Sequence, residues 1–197
     1  MIDLNQIPRP TSKQTPAADA KTVFQGQIFS VQQWQQQQFD GSFTTFERLS
    51  RPDTVGIVAV TEDHRIVLTQ QEQPSMQPFL SLVGGIIDPN ETAFQTAQRE
   101  LSEEAGATAK SWQYWFGVQP LTKIDWALYL FIARGCRIEQ QQQLDPGEKI
   151  KLWPVAYQEF LTIIFEPNFR DHQVTLKIAQ LLQSGKELEL RRQILGE

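Results

Sequence analysis

Apolar positions along this chain repeat with two spacings, and the switches between them outline its elements. Val55-Gly56-Ile57-Val58-Ala59-Val60 is an unbroken apolar run, the pattern of a strand covered on both faces. Arg65-Ile66-Val67-Leu68-Thr69 follows as its partner strand, across the turn Glu62-Asp63-His64. Upstream, Val23-Phe24, Ile28-Phe29-Ser30-Val31 and Phe43-Thr44-Thr45-Phe46 combine β-branched and aromatic residues, so 22–47 reads as strands. Asp40-Gly41 is a hairpin signal within that stretch. Residues 79–83, 112–118, 126–133 and 150–155 are further strand candidates. The spacing becomes helical at Ala93, Phe94, Ala97 and Leu101, which predicts a helix over 91–105. Asp88-Pro89-Asn90 offers its entry and Gly106 its C-cap. Residues 157–165 and 171–182 share that period, with Val174, Ile178, Leu181 and Leu182 on one side of the second. Strands before, around and after the central helix make the fold class α/β, a mixed sheet with helices packed on it.

Three stretches follow from this: a poorly ordered leader over 1–20 with Pro8, Pro10 and Pro16, a β-rich N-terminal element over 21–50, and a main domain over 51–197. The glutamine runs 35–38 and 140–143 read as solvated strand or loop surface. A net charge of −5 without a basic stripe argues against a nucleic-acid partner. No apolar run approaches the ~20 residues that span a bilayer, and residues 1–20 lack the apolar segment of a secretory signal. A cytoplasmic protein without a membrane partner is expected. The single cysteine, Cys136, cannot form an internal disulfide and reads as a small core residue. His64 and His172 show no metal spacing and read as surface residues.

Candidate chemistry concentrates in 85–107, GIIDPNETAFQTAQRELSEEAGA. Glu100, Glu103 and Glu104 lie at i, i+3 and i+4, so they share a strip roughly 100° wide on one side of the helix. Ala93, Phe94, Ala97 and Leu101 form the adjoining strip that packs on the sheet. Crowded carboxylates need raised pKa values or a cation among them. Hard oxygen ligands without His or Cys suit Mg²⁺ or Mn²⁺, a route to pyrophosphoryl chemistry with an activated water. Arg99, beside Glu100 and four residues before Glu103, can pair with a carboxylate and hold its rotamer. Glu91 is favoured at the helix start by the helix dipole. Gly84-Gly85 allows close backbone approach to a metal or phosphate.

An acidic helix face alone reads as a solvated face; the complete spacing changes that. Gly85, Glu91, Arg99, Glu100, Leu101, Glu103, Glu104, Gly106 and Ala107 match G-x5-E-x7-R-E-U-x-E-E-x-G-U, where U is apolar. The stretch therefore resembles the box of the Nudix hydrolases. That resemblance implies an α/β/α sandwich around a mixed sheet and Mg²⁺-dependent attack of water on a nucleoside diphosphate linked to another group. It implies Glu100, Glu103, Glu104 and the Gly84 carbonyl as metal ligands, with catalysis by Glu103 and Glu104. Gly85, Gly106 and a Glu91–Arg99 salt bridge would brace the loop-helix-loop. Within the family, the layout is similar to the ADP-ribose pyrophosphatases, homodimers that exchange N-terminal strands. Glu148, in Leu144-Asp145-Pro146-Gly147-Glu148-Lys149-Ile150, would then be the general base or an extra metal ligand, on a loop that closes over substrate.

The departures from that subgroup fall beside the box. Its Glu-Leu-Pro-Ala is Ser81-Leu82-Val83-Gly84 here, and its Arg-Gln-Tyr-Arg is Gln70-Gln71-Glu72-Gln73. ADP-ribose and nucleotide sugars, CDP-linked compounds and free nucleoside di- or triphosphates all stay open as substrates. Arg48, Arg51, Lys123, Asp125 and Trp126 are the candidate substrate contacts: Lys123 as a point charge for phosphate and Trp126 as a stacking surface. A non-catalytic nucleotide-sugar sensor on the same fold is the rival class, but all the box acids are present. An isoprenoid-type isomerase fits less well, because Cys136 is far from the box in sequence.

Overall fold

The computed structural model describes residues 2–196. Its strands are β1 (Lys21–Gln25), β2 (Ser30–Gln37), β3 (Phe43–Ser50), β4 (Thr54–Thr61), β5 (Ile66–Glu72), β6 (Phe79–Ser81), β7 (Ala107–Thr108), β8 (Ser111–Val118), β9 (Ile124–Asp125), β10 (Leu128–Ile138) and β11 (Lys149–Val155). Its helices are α1 (Ala93–Ala105), α2 (Tyr157–Ile163), α3 (His172–Gln183) and α4 (Glu187–Leu195). One sheet runs β11-β5-β4-β10-β7, with β6 added on β5 and β8 on β10. β4 and β10 pair in parallel while β5 pairs antiparallel with both β4 and β11, so the sheet is mixed. A second sheet runs β1-β2-β3-β9.

The unbroken apolar run of β4 has a simple cause: both of its faces are covered. Val55, Ile57 and Ala59 share one core with Ala97, Leu101 and Ala105 of α1. Val58 and Val60 share the other with Phe160, Val174, Ile178, Leu190 and Ile194 of α2, α3 and α4. The result is the expected α/β/α sandwich. Among the described residues, no helix is long and apolar enough to cross a membrane.

Two boundaries and one helix differ from expectation for local reasons. The central helix starts at Ala93, not residue 91, because Thr92 and Gln95 form a reciprocal capping box: Thr92 Oγ1 accepts from Gln95 N–H at 3.2 Å and Gln95 Oε1 from Thr92 N–H at 2.8 Å. β10 runs past residue 133 through an irregularity at Gly135, whose φ is 65°. The unpredicted α4 buries Leu190, Ile194 and Leu195, and the Arg134 guanidinium donates to the carbonyls of Gln193 and Ile194 near its end.

The leader has specific partners. Arg9 pairs with Asp53 at 2.7 Å and Asp125 at 2.9 Å. The Pro10 carbonyl accepts from Gln119 Nε2 at 2.8 Å, and the Gln14 carbonyl from Arg48 Nη1 at 3.0 Å. Leu4 and Ile7 pack against the α1-side core.

Candidate active site

The loop that leaves β6 crosses the carboxylate face of α1, and backbone hydrogen bonds fix it there. Val55 and Ile57 of β4 donate to the carbonyls of Gly85 and Val83, both at 2.9 Å. The Gly84 N–H donates to Glu104 Oε2 at 2.9 Å. Gly85 passes so close to Glu100 that a Cβ there would collide with its carboxylate. Glycine at 85 thus lets backbone approach a carboxylate of the acid cluster itself. Gly106 caps α1 in the left-handed conformation, φ 57°, where a Cβ would also strike the Gln140 carbonyl.

Arg99 collects the remaining acids. Its Nη1 reaches Glu100 Oε1 and Glu103 Oε2, each at 2.8 Å, and its Nε reaches Glu91 Oε1 at 3.1 Å. Glu91 can do this because it lies outside the capped helix; it also accepts from Thr96 Oγ1 at 2.8 Å. Its partner is therefore the guanidinium, and the Glu91–Arg99 brace expected from the sequence is present. Glu100 and Glu104 are 9% and 5% exposed. Burial pushes Glu100 up to about 7 against the opposing Arg99 charge, and Glu104 up to about 8 against the opposing Gly84 N–H. The charge of Glu148 adds to both. Glu148 is half-buried and is itself raised, by burial first and then by Asp145 and Glu103. The loop before β11 thus brings its acid to the box cluster.

Two features escaped the sequence. Asp171, just ahead of α3, turns its carboxylate to the Leu82 N–H at 2.7 Å. Burial raises it to about 6, and its charge adds to the rise of Glu104. The signal was an acid at a helix start, but only the fold shows that it serves the segment leaving β6 instead of its own helix. The second is residues 140–143, which clasp the end of α1. Gln142 Nε2 donates to the Glu104 and Ile150 carbonyls, and Gln143 N–H to the Glu103 carbonyl at 2.8 Å. These bonds satisfy carbonyls that a helix C-terminus leaves open and tie the Glu148 loop to the glutamates. Gln140, Gln141 and Gln143 are exposed loop surface, as the sequence reading expects, and only Gln142 is partly covered. That reading holds also for 35–38, where Gln35, Gln36 and Gln37 are exposed at the end of β2 and Gln35 Nε2 donates to Thr45 Oγ1 at 3.0 Å.

Ser81, where the subgroup has an acid, belongs to a neutral buried network. It lies 2.8 Å from Thr69 Oγ1 and accepts from Gln71 Nε2 at 3.0 Å. No charge is needed to settle that position. The substrate candidates separate. Arg48 is 3% exposed and its guanidinium is taken up by the Gln14 carbonyl, Ser12, Gln119 and Asp125. It anchors the leader and is not open to a ligand, which corrects its expected role. Asp125 is likewise engaged by Arg9 and Arg48. Lys123 lies over the Phe46 ring, 3.4 Å from its centre, on the N-terminal sheet. Arg51 and Trp126 stand together, guanidinium to indole centre 5.3 Å. His64 and His172 are exposed, and buried Cys136 has its thiol pushed up to about 11 by burial.

The NUDIX domain family model matches residues 50–172, well over half of the chain. The chain belongs to the Nudix family. Its Nudix box is thus the loop-helix-loop around α1. Among similar proteins, a methanol dehydrogenase activator of Bacillus methanolicus is 26% identical over 85% of this chain and 91% of its own. An ADP-ribose pyrophosphatase of Bacillus subtilis (strain 168) is 24% identical over 86% and 93%, and the ADP compounds hydrolase NudE of Escherichia coli (strain K12) is 26% identical over 78% and 83%. A crystal structure of an ADP compounds hydrolase superposes with a TM-score of 0.65 at 22% identity, covering 92% of this chain and 98% of the other. That likeness establishes the Nudix fold.

Proposed function

We propose that this Nudix protein hydrolyses the pyrophosphate bond of a nucleoside diphosphate linked to a second group, most plainly an ADP-linked compound such as ADP-ribose, with Mg²⁺ or Mn²⁺ as cofactor. The observation that carries this is Glu100 and Glu104, buried carboxylates drawn together on the Gly84-Gly85 loop, with the Glu148 charge raising both. The names of two relatives, an ADP-ribose pyrophosphatase and an ADP compounds hydrolase, support the substrate class.

The donor set fits a hard divalent cation, since every charged group in it is a carboxylate and burial holds two of them above their ordinary range. Among the described residues no ready-made cage of three such ligands exists; Arg99 supplies the positive charge between Glu100 and Glu103. Glu100, Glu103, Glu104 and the Gly84 carbonyl would hold the ion. Bound there, it supplies neutralisation of the pyrophosphate oxygens and a lowered pKa for water. The chain's own residues do the rest. Arg99 keeps two of the acids in place, and the Gly84 N–H fixes Glu104. Glu148 accepts the proton of the water whose oxygen bonds to phosphorus as the bridging P–O bond breaks. The substrate lies toward the N-terminal sheet, where Arg51 and Trp126 stand. We further propose a cytoplasmic homodimer.

The test is a substrate panel with Mg²⁺: ADP-ribose, CDP-choline, GDP-mannose, dinucleoside polyphosphates and nucleoside di- and triphosphates, with products resolved by chromatography. Glu104→Gln should lose at least about a hundredfold in turnover. Its amide oxygen can still accept from Gly84, so its thermal midpoint should match or exceed the parent's. Full activity in that variant sinks the assignment. Binding without turnover across the panel would instead identify a sensor.

A further inference from the structure

The segment that leaves β6 for the Nudix box is held from two sides. On one side it continues in antiparallel register with β4, Val83 opposite Ile57 and Ile86 opposite Thr54. The Val83 and Gly85 carbonyls accept from Ile57 and Val55 there, both at 2.9 Å. On the other side, the N–H groups of Leu82 and Gly84 meet two carboxylates: Asp171 Oδ2 at 2.7 Å and Glu104 Oε2 at 2.9 Å. Asp171 and Glu104 are thus successive acceptors along one edge of the same segment.

Asp171 completes a ladder that the backbone leaves unfinished. Leu80 of β6 bridges Phe169 in parallel: its N–H donates to the Asn168 carbonyl and its carbonyl accepts from the Arg170 N–H, both at 2.9 Å. The next bond of a regular parallel ladder would run from the Leu82 N–H to the Arg170 carbonyl. That carbonyl accepts instead from the His172 N–H at 2.9 Å, as the chain turns into α3. The Asp171 carboxylate takes its place. Leu82 is buried, and a buried N–H without an acceptor is costly. The Asp171 carbonyl meanwhile starts α3 by accepting from the Val174 and Thr175 N–H groups, while its side chain makes no cap bond to the helix. Among the described residues, Leu82 is the one hydrogen-bond partner of that carboxylate.

We propose that Asp171 is a positioning residue of the Nudix site. By holding Leu82 it fixes the path of Val83 and Gly84, and with it the Gly84–Glu104 bond and the Gly84 carbonyl. It touches neither substrate nor cation and acts through the backbone of residues 82–84. Groups that orient ligands in this way govern the affinity of a site for metal. That the fixed groups hold a divalent cation rests on the pyrophosphohydrolase reading; that Asp171 fixes them does not.

Asp171→Asn and Asp171→Ala separate the bond from the charge. Both lack the carboxylate charge, but the Asn amide oxygen can still accept from Leu82. On the full chain, amide hydrogen exchange is followed by NMR without metal, and Mn²⁺ is titrated by calorimetry well below the thermal midpoint of every variant. The Gly84 N–H should exchange at least about tenfold faster in Asp171→Ala than in Asp171→Asn, with the Ala97 and Leu101 amides of α1 alike in the two. Mn²⁺ should bind Asp171→Ala at least about tenfold more weakly than Asp171→Asn. A bond that only stabilised the fold would leave the affinity of folded molecules unchanged. Equal Gly84 exchange in the two variants overturns the proposal, and so does equal Mn²⁺ affinity. Asp171→Leu, close to Asn in shape but without an acceptor, replaces Asp171→Ala if that variant does not fold. If neither folds while Asp171→Asn does, the bond serves folding and the positioning role falls. A parent chain that binds no Mn²⁺ sinks the hydrolase reading instead, and Gly84 exchange alone then decides on Asp171.

Discussion

Glu100 and Glu104 sit where the fold disfavours their charge, and pH makes the consequence measurable. Their folded values of about 7 and about 8 lie above the ordinary 4.5. Between those limits the folded chain holds more protons than the unfolded one, so stability falls as pH rises. The advantage is complete below about 4.5 and lost once pH passes through 7 and then 8. Asp171, raised to about 6, adds in the same direction at lower pH. In EDTA, the thermal midpoint should therefore decline from mildly acidic to mildly alkaline pH. Glu104→Gln should flatten the upper part of that decline, because it removes the group with the highest value. Added Mg²⁺ should raise the midpoint most at alkaline pH, where the carboxylates are ionised and free to bind it. A midpoint that is flat with pH, or a slope unchanged by Glu104→Gln, would contradict the burial argument.

At the scale of elements, the Nudix helix is held at both ends. Thr92 and Gln95 close its start, and residues 140–143 close its finish. Thr92→Ala should cost about 1 kcal/mol by denaturant unfolding, with little change in turnover, since the cap bonds touch no acid of the cluster. Gln142→Ala should differ: its side chain joins the Glu104 carbonyl to that of Ile150, next to the Glu148 loop. Turnover should drop more than stability predicts, and equal effects on both would assign Gln142 a purely structural role. Sequence legibility followed the same division. β4, β5 and α1 were readable because a buried run and a helical period are local signals. The box glutamates were readable because their spacing is fixed within one helix. Arg48, Asp171 and Gln142 were not, because their partners lie 34, 89 and 38 residues away. What a side chain meets across such distances is decided by topology. α4 was missed because its buried face amounts to Leu190, Ile194 and Leu195 among charged neighbours, a weak periodic signal.

For the whole molecule, the unresolved balance lies in the N-terminal sheet. All five residues of β1 are exposed, including Val23 and Phe24, and Ile28, Phe29, Phe43 and Leu49 are exposed alongside. Among the described residues β1 pairs only with β2, which leaves it at the edge of the sheet. An open edge bordered by exposed apolar side chains is a surface that another chain can cover. A second copy of this protein is the economical occupant, since the same patch on each copy can close a two-fold interface. The leader adds to the case by fastening this sheet to the main domain through Arg48 and, beside it, through Arg9 to Asp53 and Asp125. Whatever covers the sheet is thereby held near the active-site face, where Phe29 already stands 5.8 Å from the Arg51 guanidinium. Light scattering on a sizing column should give the mass of a dimer at micromolar concentration. Val23→Ser with Phe24→Ser, which changes only exposed side chains of the edge strand, should shift it toward monomer while circular dichroism stays the same. If dimerisation shapes the substrate side of the site, that variant should also raise KM while leaving the affinity for metal unchanged. A parent chain that runs as a monomer throughout would overturn the dimer.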